Sequence, residues 1–81
     1  MIEVLMTNVK SEILSIEIVQ FLEREHPHLK FDFDLEDFNQ PYPCGHSILR
    51  IEGKTIDVHL IIQQVKSKGM ECDFLVDKMC V

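Results

Sequence analysis

Residues 29–36 alternate without a break, with Leu29, Phe31, Phe33 and Leu35 in one phase and Lys30, Asp32, Asp34 and Glu36 in the other. Side chains of a strand point to opposite faces at a period of two, so the run is a strand with a buried apolar face and a charged outer face. A helix scatters the same residues around its axis. Any fold open to this chain must therefore contain a sheet that is covered on one side and charged on the other.

Reading outward from that strand supplies the rest. Residues 2–7, with Ile2, Val4, Leu5 and Met6, are apolar on both phases and predict a strand in the middle of a sheet. Between Ser11 and about His26, the residues Leu14, Ile18, Phe21 and Leu22 fall on one helical stripe, with Ile13 and Ile16 off it. Pro27 ends this helix, because the residue before a proline is driven out of the α region. Residues 37–46 contain Pro41, Pro43 and Gly45 and read as a long loop. Ile48 to Ile51 predicts a third strand, closed by Gly53 and Lys54. A second helix follows over residues 58–68, with Asp57 as N-cap and Ile56 and Ile61 placed for a hydrophobic staple. Its apolar positions are Val58, Leu60, Ile61, Ile62 and Val65, and Gly69 is expected in the left-handed region just past its end. Residues 71–76 predict the last strand, with Cys72 and Phe74 opposed in phase to Asp73 and Leu75. A short tail follows.

The order βαββαβ, in 81 residues, makes one domain over 1–81 with a single modest core. Two helices packed on one face of a four-stranded antiparallel sheet is the expected arrangement, an α+β fold of the ferredoxin-like kind. A net charge of −6 argues against nucleic acid, whose phosphates need a basic patch, and against an anionic membrane surface. No apolar run reaches the roughly 20 residues of a membrane span, and no signal-peptide pattern follows Met1. Cys44, Cys72 and Cys80 are an odd set with no close pair, which suits a reducing cytoplasm better than a disulfide framework.

Three stretches carry a resemblance. The opening Met6-Thr7-Asn8-Val9-Lys10 before a helix, the strand end Leu49-Arg50-Ile51-Glu52-Gly53, and the closing residues Ile61 to Met70 resemble the heavy-metal-associated domain family of copper chaperones and metal-pump N-terminal domains. The resemblance implies a βαββαβ fold and a soft metal held by a Cys-x-x-Cys motif across the first strand-helix junction. Those two places fall on Ser11 and Leu14 here, a hard hydroxyl and a side chain with no donor. The family's fold is thus expected without its metal motif, and neither Cu(I) nor Zn(II) is expected to bind at Ser11 and Leu14.

Candidate sites follow from this. The junction residues Asn8, Lys10 and Ser11 stand where the first backbone N–H groups of a helix point outward and where small α/β proteins often place a ligand. Cys44 and His46 in the long loop, with Met70 beyond the second helix, share one end of the fold and offer a relocated soft-metal site; the alternative is a proline-rich loop whose cysteine packs and whose histidine is solvated. His26 and His28 flank Pro27 at a helix end expected to be solvated, and His59 is expected to be exposed. Cys72 reads as a small core hydrophobe. No arrangement for acyl or phosphoryl transfer surrounds any nucleophile, so binding is expected and catalysis is not. On the uncovered sheet face, Ile2, Val4, Met6, Ile48 and Leu75 form an apolar strip beside Lys30, Asp32, Arg50 and Asp73. The leading expectation is a cytoplasmic protein-interaction or self-association domain, with a homodimer as one form, using this face and no cofactor. Soft-metal trafficking through Cys44 and His46 is the alternative.

Overall fold

The computed structural model describes residues 1–35 and 45–74. Its elements are β1 (Ile2–Thr7), α1 (Glu12–Glu25), β2 (Lys30–Asp34), β3 (Ser47–Glu52), α2 (Val58–Lys66) and β4 (Cys72–Phe74). The strands form one sheet in the order β2-β3-β1-β4, and every neighbouring pair is antiparallel. Each helix connects two strands that leave room for a third between them: β3 lies between β1 and β2, and β1 between β3 and β4. This double split βαβ arrangement is the ferredoxin-like, α+β fold read from the element order.

Register explains which residues meet the helices. Leu5 stands opposite Leu49 and Phe74, Leu49 opposite Phe33, and Ile51 opposite Phe31. Leu5, Phe31, Leu49 and Ile51 are buried in one cluster with Ile18 and Leu22 of α1 and Ile61, Ile62 and Val65 of α2. Each such side chain withdrawn from water contributes about 1.5–3 kcal/mol, and together they seat both helices on one face of the sheet. The central position of β1, between β3 and β4, accounts for a strand that is apolar on both phases.

Both helices begin with a side-chain cap. Ser11 Oγ accepts a hydrogen bond from the Leu14 N–H at 3.2 Å, and Asp57 Oδ1 accepts from the Leu60 N–H at 3.3 Å. Helix α2 stops at Lys66 with Ser67 as its C-cap, and Gly69 has φ of +85°, the left-handed conformation that halts the turn. Lys68, expected to continue the helix, instead places its ammonium 4.0 Å above the Phe21 ring and ties the two helices together. Gly53 sits so close to Leu29 that a Cβ there overlaps the leucine side chain.

Three expectations are corrected by packing. Leu60 lies outside the stripe Val58, Ile61, Ile62 and Val65, whose spacing of three, four and seven fills one face of α2, and it is exposed. His26 is buried, not solvated: its Nε2 lies 2.7 Å from Gln64 Oε1 and its ring packs near Phe31. Val9, just past β1, is also fully buried in the core. Phe74, placed with the core phase, is 42% exposed and meets His59 edge-on at the sheet margin. The expected loop from 37 to 44, Glu36, Cys44, and the strand end and tail from Leu75 through Cys80 lie outside the described residues.

Candidate functional site

The β1-α1 junction is closed by its own side chains. Thr7, Ser47 and Cys72 stand in one line across β3, β1 and β4 on the covered side of the sheet, all three fully buried. Thr7 Oγ1 and Ser47 Oγ are 2.5 Å apart, the Ser47 hydroxyl also reaches the Thr7 carbonyl at 3.4 Å, and the Val9 N–H donates to Thr7 Oγ1 at 3.3 Å. One assignment serves all three bonds: Ser47 donates to the carbonyl, Thr7 donates to Ser47, and Thr7 accepts from Val9. Above this row, Asn8 Oδ1 accepts from the Glu71 N–H at 2.8 Å, and the Asn8 N–H donates to the Glu71 carbonyl at 3.3 Å. Ser11 spends its hydroxyl on the helix cap. Asn8 and Ser11, taken from the sequence as ligand-binding candidates, are therefore structural ties between β1, α1 and the turn before β4. Lys10 is exposed beside them.

The expectation that His46, Ser11 and the turn after α2 share one end of the fold matches the geometry, since Thr7 is opposite both Ser47 and Cys72. His46 is half-buried at that end, while Met70 packs its side chain against the core cluster. Cys44 is outside the described residues. Among the described residues no three of His, Cys, Asp or Glu converge as metal ligands. Cys72 is buried beneath the junction, and burial, helped by Asp73 and opposed by Lys66, pushes its thiol up to about 12. It stays a protonated thiol at neutral pH and lacks the thiolate a nucleophile or metal ligand needs.

The side of the sheet away from the helices carries the remaining candidates. Register sets them in three rows running from β2 toward β1: Lys30, Glu52 and Ile2; Asp32, Arg50 and Val4; Asp34, Ile48 and Met6, with Asp73 beyond. Ile2, Val4, Met6, Ile48 and Arg50 thus share one face as expected, and Leu75 lies outside the described residues. The apolar strip is narrower than the sequence suggests. Met6, between Ile48 and Asp73 on the central strand, is only 6% exposed; Val4 and Ile48 are half-buried, and Ile2 is exposed. Shallow hollows sit over Arg50, between Asp34 and Ile48 on one side and Lys30 and Glu52 on the other.

A further feature was not singled out from the sequence. An open groove of about 620 Å³ runs between α1 and the outer edge of β2, lined by Ile16, Val19 and Gln20 above and Phe31, Phe33 and Leu35 below. Ile16 is 50% exposed on its rim. The signal was present in two places: Ile16 lies off the core stripe of α1, and the β2 alternation continues past the point where the helix covers it. No helix among the described residues is long and apolar enough to cross a membrane. Comparison of the chain with protein-family models, with curated proteins and with solved structures finds no match.

Proposed function

We propose that this domain is a protein-interaction module that binds a partner protein on the open face of its sheet, and that it performs no chemistry of its own. The observation that carries the reading is the register of β1 against β3, which puts Ile2, Val4 and Met6 along β1 with Ile48 opposite Met6 on the face without helices, and sets Arg50 opposite Val4 and Glu52 opposite Ile2. An apolar centre inside a polar rim is the usual anatomy of a protein interface. The rim carries Asp32, Asp34, Glu52 and Asp73 against Lys30 and Arg50, so it is acidic, as is the whole chain at −6. Two copies stacked on this face meet with the same excess charge. A partner that presents an apolar side chain among lysines or arginines meets its complement.

Selection of a random peptide library on the immobilised protein tests this. Enriched peptides are expected to combine an apolar residue with Lys or Arg, to shift the amide resonances of Val4, Ile48 and Arg50, and to lose affinity for Val4→Lys. Ile2→Lys, at an exposed position, repeats the test where folding is not at risk. Peptides that map to the helices, peptides of acidic composition, or no enrichment at all overturn the reading.

A further inference from the structure

The outer edge of β2 reads as a self-complementary strand. In the order β2-β3-β1-β4, β2 has a strand partner on one side only among the described residues, and an edge strand presents alternate N–H and C=O groups to whatever lies beside it. Its side chains run Lys30, Phe31, Asp32, Phe33, Asp34. Laid antiparallel against a second copy about a twofold axis through Asp32, the strand sets Lys30 opposite the partner's Asp34, and Asp34 opposite the partner's Lys30. Phe31 and Phe33 face each other across the same seam. We propose that two copies of this chain join through β2 into one continuous antiparallel sheet.

Three observations on different groups agree with that single register. All five residues of the strand are paired only when the axis passes through Asp32; a shift of two residues leaves Lys30 and Phe31, or Phe33 and Asp34, of each copy beyond the partner strand. The one like-charged meeting, Asp32 with the partner's Asp32, is flanked in each copy by Arg50, which stands directly opposite Asp32 on β3. The third observation is the groove. An axis perpendicular to the sheet keeps the helices of both copies on the same side, and α1 is the helix that packs on β2. The two α1 helices then run side by side, and Ile16 and Val19 close the groove against their equivalents in the partner. The half-exposed Ile16 and the half-buried Phe33 and Leu35 gain cover that the single chain does not give them. The apolar centre of the open face, Ile2, Val4 and Ile48, is left clear, while Lys30, Asp32 and Asp34 of its rim stand at the seam.

Charge exchange tests the register. Sedimentation equilibrium of the wild type is expected to show a monomer-dimer equilibrium at micromolar concentration. Lys30→Asp alone sets two carboxylate pairs opposite each other, and Asp34→Lys alone sets two ammonium pairs; each is expected to weaken the dimer roughly tenfold, since like charges directly opposite on adjacent strands repel. The double variant Lys30→Asp with Asp34→Lys is expected to restore it. Both positions are exposed, and circular dichroism confirms folding. Val4→Lys is expected to leave the dimer intact. A wild type that stays monomeric at several hundred micromolar overturns the proposal. So does a dimer that Val4→Lys abolishes, or one that the single exchanges do not weaken or the double exchange does not rescue. None of these outcomes bears on peptide binding at the open face, whose failure shows only in the selection experiment.

Discussion

The sequence marks the β1-α1 junction as a place for a ligand and leaves the outer side of β2 unmarked, and the fold treats the two in the opposite way. At the junction, Thr7, Asn8, Ser11 and Ser47 have polar groups, and the structure spends them on one another and on Val9, Leu14 and Glu71. Along β2, the side chains are no more polar, yet the strand edge has no partner among the described residues and the groove beside it stays open. Buried polar groups must be satisfied wherever they stand. Turn chemistry therefore marks a site of structural closure as readily as a binding site, and the more informative sign of an interface is what remains unpaired once closure is complete.

Substitutions can break this contrast, beginning with the largest effect. Phe31 and Phe33 sit two residues apart on the same strand face, but Phe31 is buried in the core cluster while Phe33 lines the groove half-covered. Phe31→Ala is expected to cost about 3–5 kcal/mol of stability by denaturant titration, and Phe33→Ala clearly less; equal losses show that the β2 side is as closed as the core. At the junction, Thr7→Ala leaves the Val9 N–H and the Ser47 hydroxyl short of a partner in a dry setting and is expected to cost about 1–3 kcal/mol. Ser11→Ala removes the α1 cap and is expected to cost about 1 kcal/mol. Neither junction variant is expected to change the dimer. Ile16→Gln, on the groove rim, should reverse that pattern, with stability altered by no more than about 0.5 kcal/mol and a weaker dimer by sedimentation.

Cys72 sharpens the closed side of the comparison through pH. Burial raises its thiol from 9.0 in the open chain to about 12 in the folded state, so the folded chain holds a proton that the unfolded chain releases. The contribution is complete below about 9 and is lost as pH rises from there toward 12. Thermal stability is therefore expected to fall across that alkaline window, and the fall to be smaller in Cys72→Ser. Alkylation at neutral pH is expected to reach Cys72 only after unfolding.

What could be read beforehand follows the same division. Local signals with a mechanism were legible: β1, the cap at Asp57, the end of α1 before Pro27, and the left-handed Gly69 stand where the sequence put them. The alternation around Phe31 pointed to the covered and uncovered faces of the sheet, and the element order βαββαβ to its arrangement. Long-range packing was not legible. His26 looked like a solvated helix end because its partner, Gln64, lies on the other helix. Met6 looked exposed because its phase places it away from the helices, while its central strand position leaves it little exposed surface. The groove went unread because a half-covered Phe33 and a fully covered Phe31 share one phase of one strand, and only the position of α1 tells them apart.

Amide hydrogen exchange, followed residue by residue as a function of protein concentration, tests the contrast most directly. The amides of Val9, Leu14 and Glu71 donate to side chains within the chain, and their protection is expected to be the same at every concentration. In β2, alternate amides point away from β3 and are expected to exchange fast in dilute solution and to become protected as the concentration rises. Fast exchange at the junction, or β2 amides indifferent to concentration, would contradict a closed junction and an open, self-pairing edge.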